Sequence, residues 1–157
     1  MVKAALNGIT VLALEQAVAV PFATRQLADL GARVIKVERP VEGDFARHYD
    51  TRVKGLSSYF AWLNRSKESL ALDLKSVEAQ TVVRQLASSA DVVVQNLSPG
   101  ATARLGLSSH ELRELNPRLI TVDLTGYGNG GPLEDRKAYD LLIQAEAGLL
   151  SVTGSAS

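Results

Sequence analysis

Apolar and polar positions fall in short blocks along this chain, and the spacing inside each block predicts an element. Residues 8–14, "GITVLAL", form a compact apolar run with β-branched members, which predicts a buried strand. Pro21 then opens a helix. Ala23, Leu27 and Leu30 fall at i, i+4 and i+7, and Gly31 supplies the stop. Residues 33–38, "RVIKVE", predict a second strand. Strand, helix and strand with short connections are the unit of a parallel α/β sheet.

The pattern then loosens. Residues 43–69 mix charges and aromatics without a long period, which predicts an ordered surface excursion with one short helix near 57–63. "SLALDL" (69–74) alternates and predicts a strand, and Ser76 can cap a helix with the stripe Ala79, Val83 and Leu86. "DVVVQN" (91–96) reads as a buried strand, "SPGATARLGL" as a turn with a short helix. In "SSHELRELNP", Ser108 and Glu111 have capping-box spacing and Asn116-Pro117 stops the helix. "LITVDL" (119–124) is a further strand. "GYGNGGP" (126–132) must be a loop, since four glycines and a proline hold neither helix nor central strand. Residues 138–150 return to a helical period. The expectation is one α/β domain with a largely parallel sheet.

Composition narrows the classes. The chain has 157 residues, 46% hydrophobic and 22% charged, with 17 basic and 17 acidic side chains. Zero net charge argues against bulk binding to nucleic acid or an anionic membrane, and leaves room for a local cationic pocket. With no cysteine, disulfides, thiol nucleophiles and cysteine-ligated metals are excluded. The N-terminus is a poor signal peptide, and no run approaches the ~18 apolar residues of a membrane span. These features predict a soluble, cytoplasmic protein. The last residues, "GLLSVTGSAS", stop just after an apolar run, as a frayed tail or a cut from something longer would.

The chemistry turns on "VIKVERPVEGD" (34–44). In a dinucleotide fold an acid at the end of the second strand holds a ribose. Here Arg39 stands beside Glu38. The first turn, "LEQAVAVPFA", contains no glycine, so the GxGxxG approach to a pyrophosphate is missing and an NAD-dependent enzyme is disfavoured. Arg39, Lys75, Arg104 and Lys137 each fall at or just past the carboxyl end of a strand, the edge where open α/β sheets bind ligands. Four cations there would suit a ligand with several phosphates. Solvated surface cations are the competing explanation.

Other candidates weigh less. His48 and His110 are isolated and lack the neighbours of a metal site. Asp123 reads as structural. Asp140 opens a helix, where capping competes with a role as catalytic acid. No serine stands in a GxSxG elbow.

In order, "GITVLAL", "PFATRQLADLGARVIKVERPVEGD", "LNRSKESLALDLKS", "DVVVQNLSPGATARLGL", "LNPRLITVDLTGYGNGGP" and "KAYDLLIQAEAGLLSVTG" resemble the N-terminal part of the class III, formyl-CoA transferase-like, CoA-transferases. That family includes carnitine CoA-transferases and α-methylacyl-CoA racemases. The resemblance implies a Rossmann-like sheet with flanking helices, an incomplete N-terminal portion of a larger fold that interlocks with a second subunit. It implies coenzyme A as co-substrate and no metal, with an acyl-CoA and a small carboxylic acid as reaction partners. The 3′-phospho-ADP of CoA wants cations where NAD wants a carboxylate. By the same resemblance Arg39, Leu72, Lys75, Asn96, Leu97, Arg104 and Lys137 match CoA-contacting positions, with Leu72 and Leu97 flanking the adenine. Ala17 and Val18 match a backbone contact to the pantetheine end.

Gln16 stands where many members have arginine, and Val20 where many have glycine. The family's nucleophilic aspartate is expected shortly beyond residue 157. Tyr139 replaces the acid/base histidine of the racemases, and a phenol with pKa near ~10 is a poor base at neutral pH, so the transferase branch fits better. Three readings follow: part of a CoA-transferase, part of a racemase, or a CoA-binding fragment inactive by itself.

Overall fold

The computed structural model describes residues 4–155. Five strands form one parallel sheet: β1 (Thr10–Leu14), β2 (Arg33–Glu38), β3 (Lys67–Ala71), β4 (Val92–Gln95) and β5 (Ile120–Asp123), in the order β3-β2-β1-β4-β5. The helices are α1 (Ala19–Asp29), α2 (Ser58–Asn64), α3 (Val77–Ser89), α4 (Ala101–Arg104), α5 (Ser109–Leu115) and α6 (Asp140–Glu146). This is the Rossmann-like α/β architecture expected from the strand–helix–strand blocks.

The apolar runs are continuous because both faces of the sheet are covered. Along β1, Leu12 and Leu14 point into one core, with Ile35, Val37, Val83, Val93 and Leu112. Val11 and Ala13 point into the other, with Val20, Ala28, Val34 and Val94. Helix α1 therefore packs on one face, α3 and α5 on the opposite one.

Local signals work as read at several ends. Ser76 Oγ accepts the Ala79 N–H at the start of α3. Ser108 and Glu111 complete a reciprocal capping box on α5. Gly31, at φ 97, ends α1 in the left-handed conformation that a Cβ disfavours.

Three expectations shift. The buried stripe of α1 is Val20, Thr24 and Ala28 with Pro21 and Arg25, while Ala23 and Leu30 are exposed. Thr24 hides its hydroxyl on Glu15 at 2.6 Å and Arg25 lies against Phe22 and Trp62, so polar residues occupy a face that apolarity alone would not select. Strand β3 runs from Lys67 to Ala71, the stretch that pairs with Val34–Glu38 of β2, and Lys67 turns inward to a buried carboxylate. The predicted helix over 138–150 divides into α6 and a 3-10 turn at Leu149–Val152, with Gly148 between them.

Candidate coenzyme A site

The strand order reverses between β1 and β4: β2 and β3 extend the sheet on one side of β1, β4 and β5 on the other. Ligands of open α/β sheets bind outside the carboxyl ends at such a switch point. A cavity of about 360 Å³ lies there. The end of β1 contributes Leu14, Glu15 and Gln16. Val37, Glu38 and Arg39 come from β2, Leu72 and Lys75 from beyond β3, and Leu97, Arg104 and Leu105 from beyond β4.

Three of the four strand-end cations therefore converge. Arg39, Lys75 and Arg104 border one cavity, and none forms an ion pair among the described residues. Leu72 and Leu97, both half-buried, supply apolar wall. The Leu72 N–H donates to the Glu38 carbonyl at 2.9 Å, which continues the ladder past β3. The Leu97 N–H donates to Gln95 Oε1 at 2.7 Å. Lys137 and Tyr139 do not line the cavity. Both are exposed past the glycine loop, Tyr139 as the N-cap of α6.

The acid at the end of β2 is spent elsewhere. Glu38 takes a two-point bond from Arg47 at 2.8 Å to each oxygen, Ser69 Oγ at 2.8 Å and the Asp44 N–H at 3.0 Å. A carboxylate so occupied cannot hold a ribose in the NAD manner. Burial opposes its ionisation, but these hydrogen bonds outweigh burial and hold its pKa down at about 2.

Against the cavity, with Glu15 and Asp44 in its lining, lies an ionic network that the sequence pattern did not single out. Glu15, Lys36, Asp44 and Lys67 are two carboxylates and two ammoniums with side chains at most 2% exposed. Lys36 reaches Asp44 at 2.7 Å and Glu15 at 3.5 Å, and Lys67 reaches Glu15 at 2.6 Å. Burial lowers the Lys67 pKa to about 8 against the pull of Glu15. The signal was present: a lysine amid the apolar "VIKV" of a strand covered on both faces must find a buried counter-charge.

The first turn is built around Gln16 and Ala17. Asn96 Oδ1 accepts the Gln16 N–H at 2.8 Å and its Nδ2 donates to the Gln16 carbonyl at 2.9 Å. Ala17, at φ 64, donates its N–H to Asp44 Oδ1 at 3.1 Å. The cavity lining reaches Gln16, next to Ala17 and Val18.

Relatives share the sequence and the fold. The chain is 41% identical over 152 residues to the acetyl-CoA:oxalate CoA-transferase of Acetobacter aceti, covering 97% of this chain and 39% of that protein. It is 40% identical over 150 residues to human succinyl-CoA:glutarate CoA-transferase, covering 95% and 34%. The crystal structure of Rv3272 from M. tuberculosis superposes with a TM-score of 0.87 at 41% identity, over 97% of this chain and 42% of that one. A CAIB/BAIF family protein from Brucella suis gives 0.87 at 37%, over 98% and 42%. The chain thus spans well under half the length of these proteins. A sequence model of CoA-transferase family III matches residues 6–157, and this chain belongs to that family.

Proposed function

We propose that this chain forms the coenzyme A-binding part of an enzyme that moves CoA from an acyl-CoA to a small carboxylic acid. The observation that carries the proposal is the convergence of Arg39, Lys75 and Arg104, without ionic partners among the described residues, on one cavity walled by Leu72 and Leu97. The handle of CoA bears a diphosphate and a ribose 3′-phosphate on an apolar-faced adenine. Cations without a carboxylate partner leave donors for such a ligand, about 1.5–3 kcal/mol for each charged contact, although Arg104 already gives one N–H to the Pro99 carbonyl at 3.3 Å. Of the carboxylates that line the cavity, Glu15, Asp44 and Glu38 are offset by Lys67, Lys36 and Arg47, and Asp73 accepts the Lys75 N–H.

The names of the Acetobacter aceti and human relatives describe CoA transfer, which supports the reaction class. In the proposed reaction an aspartate outside these 157 residues attacks the acyl-CoA thioester carbonyl. A mixed anhydride forms, and the expelled CoA thiolate then displaces the acyl carboxylate to give an aspartyl-CoA thioester. The acceptor carboxylate attacks that thioester, and CoA leaves on the new acid after a second exchange. This chain's part is to hold CoA by its phosphates throughout, so that the thiolate stays near the anhydride. Tyr139 serves as a hydrogen-bond donor in support, since a phenol at this position is a poor base for racemisation. Lys137 joins the site with the remaining polypeptide, and the enzyme works as an interlocked homodimer in the cytoplasm. The 157 residues alone bind CoA weakly and turn nothing over.

The test is binding of CoA to the complete polypeptide, measured by calorimetry. Arg39→Ala, Lys75→Ala and Arg104→Ala should each weaken CoA about tenfold or more, and 3′-dephospho-CoA should bind less tightly than CoA. Hydroxylamine should trap an aspartyl adduct under turnover. Unchanged affinity in all three variants would overturn the proposal.

A further inference from the structure

We infer that the Asn96 side chain is a positioning group for this cavity, acting through the backbone of Gln16; the inference rests on the CoA-binding reading above. Its carboxamide brackets Gln16, with Oδ1 accepting the Gln16 N–H at 2.8 Å and Nδ2 donating to the Gln16 carbonyl at 2.9 Å.

The bonds do not stop there. The next N–H, that of Ala17, goes to Asp44 Oδ1 at 3.1 Å. The Asp44 N–H goes to Glu38 Oε2 at 3.0 Å, and Ser69 Oγ donates to Glu38 Oε1 at 2.8 Å. These bonds therefore link the ends of β4, β1 and β2 and the middle of β3, in the order of the sheet. Asp44 and Glu38 are 2% and 6% exposed, so these links lie where water competes poorly for them. The turn they hold contains Ala17 in a left-handed conformation that a residue with a Cβ adopts only when its surroundings over-determine it.

The cations hang from different links. Arg39 follows Glu38, and Lys75 lies past β3. Arg104 and Leu97 follow Asn96 on the far side of the switch point. The Asn96–Gln16 bracket is the side-chain tie between these two walls. A ligand with phosphates on both walls needs their spacing fixed in advance, whereas a ligand with one phosphate does not.

The experiment compares adenosine 3′,5′-bisphosphate with AMP on the complete polypeptide, by displacement of a fluorescent CoA analogue. Asn96→Ala should weaken the bisphosphate about tenfold and AMP less than about twofold, because only the former spans the walls. Ser69→Ala cuts the opposite end of the same series of bonds without uncovering a charge. It should lower bisphosphate affinity about two- to threefold and spare AMP, and it carries the test if Asn96→Ala does not fold. Equal losses for both nucleotides, or no loss for either, would overturn the positioning role. Failure of the unaltered protein to bind either nucleotide would remove the CoA reading, and this inference with it.

Discussion

Lys36 Nζ donates to Asp44 Oδ2 at 2.7 Å, and neither side chain exposes more than 1% of its surface. The pair joins the middle of β2 to the loop that follows it, and Asp44 in turn accepts the Ala17 and Ala46 N–H groups. Asp44→Ala takes from Lys36 its nearest counter-ion inside the protein and strands two backbone donors. The expected loss is about 3–5 kcal/mol, the range for breaking a buried ion pair from one side. Adding Lys36→Met should recover part of it, since the orphaned charge is then gone. Urea unfolding of the single and double variants checks both statements. A double variant no more stable than the single would mean that the ionic pairing is not what Asp44 contributes.

Glu38 makes stability depend on acid. Its carboxyl sits at about 2 in the folded chain against an ordinary 4.5: burial acts upward, and the bonds from Arg47, the Asp44 N–H and Ser69 prevail. The unfolded chain therefore takes up the proton first, and protonation favours unfolding. The contribution is complete above pH 4.5 and disappears as pH falls through that value towards 2. Urea midpoints should drop across this window, and Glu38→Gln should flatten the drop. Asp50, held at about 2 by Ser58 and by the Ser58 and Arg52 N–H groups, adds a slope common to both proteins. Superimposable pH profiles would remove Glu38 from the account.

The parallel sheet and its order of elements could be read from the residues because both-face burial turns strands into unbroken apolar runs such as "GITVLAL". Caps were legible for a similar reason: Ser76 and Ser108 act on N–H groups three residues away, so the chemistry is local. The convergence of Arg39, Lys75 and Arg104 followed from a rule about strand ends. Lys137 lies past a loop whose path the rule does not describe. The Glu15–Lys36–Asp44–Lys67 network joins residues up to 52 positions apart, so no local pattern pairs its members. The α1 stripe failed on the same ground, since Thr24 is buried only because Glu15 waits for its hydroxyl.

The rim cations are solvent-exposed, so their attraction for phosphates should be screened by salt over a Debye length of about 8 Å at physiological ionic strength. CoA affinity should fall steadily as NaCl rises, while pantetheine, which has no phosphate, should show no such slope. Lys75→Ala should cost about 1.5 kcal/mol, the lower end for a charged hydrogen bond because the rim is wet. It should also make the salt dependence shallower. Titrations of both ligands across a salt series decide the point, and a slope unchanged in Lys75→Ala would place this ammonium away from the phosphates.

Gly43 tests how tightly the wall behind Arg39 is built. It has φ 65, lines the cavity and donates its N–H to the Arg39 carbonyl at 3.1 Å. A Cβ there would lie 2.6 Å from Arg47 Nε and 2.8 Å from Glu38 Oε2, atoms that are themselves bonded at 2.8 Å. The methyl group must separate them or move the loop. Gly55, at φ 86, has nothing within 4 Å of such a Cβ, so Gly55→Ala meets only the left-handed penalty of about 1–2 kcal/mol. Gly43→Ala should lose that amount plus about 1–3 kcal/mol of overpacking, and should weaken CoA binding by shifting Arg39. The difference between the two glycine variants in urea unfolding isolates the steric part. Equal losses at both positions would show that the Glu38–Arg47 pair gives way freely, and that the loop presenting Arg39 is softer than its hydrogen bonds imply.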